Sequence, residues 1–71
     1  MPPVARATFG SNLRRARQAA GLSQEALADK ADLHRNTIPL LENDKREPRL
    51  STILALARAL GIDPSELLKG L

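Results

Sequence analysis

Leucine and alanine supply 13 and 11 of the 71 residues, whereas valine, isoleucine and threonine together supply seven. Leucine and alanine are strong helix formers, and β-branched residues favour strands. A sheet has little to be built from, so the chain reads as all-α. The core must be aliphatic, because Phe9 is the only aromatic residue. This length holds one core and leaves no room for a second domain. With no cysteine, neither a disulfide nor a thiolate-bound metal can brace that core. No apolar run approaches the roughly 20 residues that span a bilayer. Met1-Pro2-Pro3-Val4 lacks the charged and apolar regions of a signal peptide. A soluble, cytoplasmic protein without a membrane partner is expected.

Residues 1–6 contain two prolines and no periodicity and read as a flexible N-terminal arm; 7–71 read as a single domain. Phe9, Leu13, Ala16 and Ala20 recur at helical spacing, which predicts a first helix from Ala7 or Thr8. Gly21 ends it by supplying a left-handed C-cap. Ser23 is a preferred N-cap for a second helix, Gln24 to about Lys30, with Glu25 in its first turn. Leu27, Ala28 and Ala31 form its inner side. A third helix is expected from about Arg35 to Asn43, burying Ile38 and Leu41, and a polar loop follows to Pro48. A fourth, about Leu50 to Leu60, spreads Leu50, Ile53, Leu54, Leu56, Ala57 and Leu60 over an arc of roughly 160°. A surface helix needs less than that. This helix is therefore either central to the core or part of a subunit contact. Asp63-Pro64-Ser65-Glu66 marks the start of a fifth helix, to Lys69, with an Asp cap, Pro at the first position and Glu three after the cap.

Two short helices joined by a three- or four-residue turn form the arrangement of a helix-turn-helix. With Leu27, Ala31, Leu33, Ile38 and Leu41 inside, the residues at the start of the third helix must project outward. Arg, Asn and Thr at such an end can read base edges in a major groove. Here the chain resembles a family. Gly21-Leu22-Ser23-Gln24-Glu25-Ala26-Leu27-Ala28-Asp29-Lys30 looks like the second helix of lambda-repressor/Cro-like (XRE-type) DNA-binding domains. Leu33-His34-Arg35-Asn36-Thr37-Ile38 looks like the start of their recognition helix. Glu42, Pro48, Leu50 and Ala57-Arg58-Ala59-Leu60-Gly61-Ile62 fit the downstream pattern.

The resemblance implies a compact five-helix DNA-binding domain with its helix-turn-helix at helices 2 and 3. It implies that Arg35, Asn36 and Thr37 face bases, and that Gln24, Asn43, Lys45 and Arg46 contact the DNA backbone. The chemistry agrees. Arg suits guanine O6 and N7, Asn suits adenine N6 and N7, helix N-termini attract phosphate, and loop cations add sequence-independent affinity. Three residues depart from the family pattern. Asp32 and Asp44 stand where glycine is common, and Asp is among the residues that tolerate a left-handed backbone. Pro39 falls inside the expected third helix. If His34 is the N-cap, Pro39 removes a helical hydrogen bond to Arg35, at a cost of about 3 kcal/mol.

The net charge of +3 conceals an uneven distribution, with +4 in the first 20 residues. Arg14, Arg15 and Arg17 read either as a solvated helix face or as phosphate contacts, Arg14 foremost. His34 is a helix-start residue that could touch DNA, and Arg6 could reach a minor groove. Leu54, Leu56, Leu67, Leu68 and Leu71 are candidate dimer contacts. The leading reading is a small transcriptional regulator, a repressor acting as a homodimer on a palindromic operator of double-stranded DNA. The alternative is a helical protein-interaction module, or an antitoxin whose partner is a toxin; RNA polymerase is a further candidate partner. Neither a Gly-rich phosphate loop, a metal cluster nor a nucleophile–base pair supports an enzyme, and no cofactor is expected. The lack of aromatics argues against stacking on single strands.

Overall fold

A computed structural model describes residues 7–71, and the expected arm, with Arg6, lies outside the described residues. Among the described residues the chain forms five helices and no strand: α1 Phe9–Ala19, α2 Gln24–Ala31, α3 Thr37–Glu42, α4 Leu50–Leu60 and α5 Pro64–Leu68. None is long and apolar enough to cross a membrane.

Each helix start has a local cause. Thr8 caps α1 through a reciprocal pair, its hydroxyl accepting from Ser11 N and its own N–H donating to Ser11 Oγ. Ser23 Oγ accepts from Ala26 N at the head of α2. Asp63 Oδ1 accepts from Ser65 N before Pro64 opens α5. That hydrogen bond from the Ser65 backbone holds the Asp63 carboxyl below its ordinary range. Helix ends are equally local. Gly21 and Gly61 take left-handed backbones at φ of 71° and 69° just past α1 and α4. Asp32 adopts the same region at 57° to end α2, as its tolerance for it allows.

The interior is aliphatic around Phe9. Leu13 of α1, Leu27 and Ala28 of α2, Ile38 and Leu41 of α3, Leu56 and Ala57 of α4 and Leu67 of α5 join it in one cluster. α1 lies against α3 and α5, α2 against α3 and α4, and α4 against α5. Two contacts set these distances. Gly10 brings α1 so close to α3 that a Cβ there would stand 2.5 Å from the Glu42 carbonyl oxygen and 2.6 Å from that of Leu41. Buried Asn12 donates through Nδ2 to the carbonyls of Leu67 and Lys69, tying the end of α5 to α1.

Several expectations need correction. Leu56 and Leu67 are fully buried core residues and have no surface to offer a second chain. Leu50, expected on the apolar side of α4, is 70% exposed, because it is the first residue of the helix and precedes the turn that meets the core. The wide arc of α4 divides: Leu56 and Ala57 enter the core, Ile53 and Leu60 pack at its edge, and Leu50 and Leu54 face outward. Ala20 lies past the end of α1 and is exposed. α5 ends at Leu68, where Lys69 turns extended.

The largest correction concerns α3. It begins at Thr37 with Asn36 as N-cap, two residues later than expected. Pro39 is therefore the third helical residue and not the fifth. An N–H at that position has no acceptor within the helix, so its absence removes no bond. The first intrahelical bond after it, Leu40 N to Asn36 O, is present at 3.4 Å.

Candidate nucleic-acid interface

The segment from Gln24 to Glu42 builds one exposed edge. After the left-handed Asp32, Leu33 N returns to Ala28 O at 2.8 Å, and half-buried Leu33 anchors the turn. His34 shapes the next step. Its carbonyl accepts from Thr37 N at 2.9 Å, and its Nδ1 accepts from Asn36 N at 3.1 Å. An Nδ1 that accepts a hydrogen bond carries no proton of its own, which leaves Nε2 as the ring's donor. His34 thus organises the approach to α3.

The turn leaves Arg35 and Asn36 exposed and Thr37 half-buried. Asn36 makes no side-chain capping hydrogen bond, so both its amide oxygen and nitrogen are available to a ligand. Arg35 Nη2 donates to Glu25 Oε1 of α2. Lys45 and Arg46 are exposed in the loop after α3. The loop is held by Lys45 N to Leu40 O at 2.9 Å. Asp44, at φ 55°, secures it to α1 by accepting from Thr8 Oγ1 and Gly10 N.

Behind this edge lies Glu42, whose side chain has no exposed surface. Its Oε2 accepts from Arg17 Nε at 2.6 Å. Its Oε1 accepts from Arg17 Nη2 and Gln24 Nε2, both at 3.1 Å, and from Arg14 Nε at 3.4 Å. Burial alone would push the Glu42 carboxyl up. The hydrogen bonds from Arg17, Gln24 and Arg14 and the Arg17 charge outweigh it, and the group titrates below the ordinary glutamate range. The hydrogen bond to Glu42 in turn raises Arg17 further. No buried side-chain polar atom among the described residues lacks a partner.

This cluster sorts the expected backbone contacts. Gln24 is half-buried and spends one amide N–H on Glu42, and among the described residues its Oε1 makes no hydrogen bond. Arg17 is 14% exposed, bonded to Glu42 and the Leu22 carbonyl, and is a structural residue. Arg14 is 48% exposed and bridges Glu42 and Asn43 Oδ1, so both it and exposed Asn43 border the edge. Arg15 is exposed. Glu42 and Glu25 are two residues at this edge that the helix-turn-helix pattern does not mark as site residues. An acid directly after the buried Leu41, with arginines at helical spacing on α1, is the signal that marks Glu42.

Two short helices meeting through a left-handed turn, with an exposed polar start to the second, define a helix-turn-helix domain. A helix-turn-helix family model matches residues 13–67. The chain is 41% identical over 58 residues to the immunity repressor protein of Bacillus phage phi105, covering 82% of this chain and 40% of that protein's length. Among solved structures it resembles the restriction-modification controller protein C.AhdI from Aeromonas hydrophila. There the TM-score is 0.81 and the identity 47%, over 83% of this chain and 89% of that one. The P22 c2 repressor in complex with a synthetic operator matches with a TM-score of 0.82 and 31% identity, over 92% and 98%. The chain belongs to the lambda-repressor/Cro-like (XRE-type) helix-turn-helix family of DNA-binding transcriptional regulators.

Proposed function

We propose that this chain is a repressor that binds a palindromic operator in duplex DNA as a homodimer in the cytoplasm. Arg35 and Asn36 read base edges from the turn before α3, and Thr37, half-buried, adds a contact through its hydroxyl. Gln24, Arg14, Asn43, Lys45 and Arg46 hold phosphates on either side, and His34 offers Nε2 to the backbone. The observation that carries the reading is the uncapped Asn36 beside exposed Arg35, at the start of a helix whose other side is in the core. The operator complex of the P22 c2 repressor supports the DNA assignment by likeness.

The dimer surface narrows to Leu54, Leu68 and Leu71, with Leu50 as an addition. These are the large hydrophobic side chains most exposed among the described residues. Binding of the chain to a library of random duplexes tests both parts. Enrichment of a two-fold symmetric sequence with half-sites about 34 Å apart is expected. A monomer in solution at high concentration, selecting a single asymmetric site, would overturn the dimer.

A further inference from the structure

Glu25 occupies the first turn of α2, where the helix dipole favours an acid, and it reaches across the turn to Arg35. Both side chains are about two-thirds exposed, at 68% and 66%. Solvent screens such a pair, so it does little for stability. What it restricts is the direction of the guanidinium.

Arg35 has five N–H donors in a planar fork. Glu25 engages Nη2, and among the described residues Nη1 and Nε have no hydrogen bond. A contact to guanine O6 and N7 needs two parallel donors, which the remaining N–H groups supply. An unrestrained arginine would find phosphate oxygens as readily, and such a contact carries no sequence information. A carboxylate beside Arg35 penalises that alternative, because it is itself repelled by the phosphates and loses its partner when Arg35 leaves.

We infer that Glu25 is a specificity-determining positioning residue, holding Arg35 by Nη2 so that its free edge meets a guanine and not the DNA backbone. This rests on the proposed role of Arg35 in reading bases.

The test is selection from a duplex library with a randomised core, using the full chain and its Arg35→Ala, Glu25→Gln and Asp29→Asn variants. Arg35→Ala identifies the base pair that Arg35 reads. Asp29 is exposed on the same helix, and among the described residues Arg35 pairs with Glu25 and not with it, so Asp29→Asn repeats the change of charge alone. Glu25→Gln is expected to retain or raise affinity for random duplex. Its preference at the Arg35 base pair should fall about fivefold or more, within the range of one bidentate contact. Asp29→Asn should leave that preference intact. If Glu25→Gln and Asp29→Asn raise binding to all sequences alike with preferences unchanged, Glu25 is only a local charge and the inference fails. If the unaltered chain enriches no sequence, the base-reading proposal fails with it.

Discussion

Arg17 Nε donates a 2.6 Å hydrogen bond to Glu42 Oε2 and so joins α1 to the last residue of α3. Because Gln24 of α2 bonds to the same carboxylate, one buried acid holds all three helices behind the proposed DNA edge. Removing it strands two arginines and an amide. Glu42→Ala is expected to lower the free energy of unfolding by about 3–5 kcal/mol, a large share of a small domain's total. Urea denaturation at neutral pH measures it. A loss below 1 kcal/mol would show that the cluster contributes little.

The same carboxylate predicts an acid limb. Folding lowers its pKa, so as pH falls the unfolded chain takes up this proton first. The stability it confers is complete above the ordinary glutamate value of about 4.3 and is lost as pH falls towards the lower folded value. The urea midpoint should therefore drop through that window in the unaltered chain. The drop should be shallower in Glu42→Gln, which cannot titrate there.

Gly10 permits the closest approach of α1 to α3. In Gly10→Ala the added methyl meets two backbone carbonyls at 2.5 and 2.6 Å, and neither can swing aside as a side chain would. A destabilisation of about 1–3 kcal/mol is expected from such overpacking, read as a fall in melting temperature.

Pro39 at the third position of α3 forfeits no helical bond and restricts the unfolded chain. Pro39→Ser should consequently lower stability, by about 0.4–1 kcal/mol. A rise in melting temperature would show that the proline strains the fold.

For DNA binding, Arg35→Ala is expected to cost about 1–3 kcal/mol on the selected site and to relax one base position. Lys45→Ala should weaken binding to all sequences alike and reduce the salt slope by about one. Titrations of specific and random duplex at several salt concentrations separate the two roles.

Much of the fold was legible because its determinants are local. Ser23, Gly21, Gly61 and the Asp63-Pro64 pair mark helix limits through side chain and backbone chemistry within three residues. The exposure of Arg35 and Asn36 followed from the apolar positions around them. What escaped was long-range. An acid beside an apolar position marks Glu42 as a candidate for pairing, but only the packing of α1 on α3 selects Arg14 and Arg17, 28 and 25 positions earlier, as its partners. Asn12 looks like any polar helical residue until Leu67 and Lys69 present their carbonyls. The start of α3 at Thr37 is not legible either, because the sequence pattern places the cap at His34 and the structure places it at Asn36. In the structure the His34 ring instead accepts from Asn36, adding a turn before the helix begins.

The position of Pro39 also bears on how readily a domain like this acquires a new target. The ring sits at the last place where a missing N–H is harmless, so α3 cannot grow backwards into residues 35 and 36 without a broken bond. Those two positions are thereby released from any demand for helix-forming side chains. Polar residues of many kinds can be exchanged there at little cost to folding, so the two proposed base-reading positions can vary while the scaffold that presents them is kept.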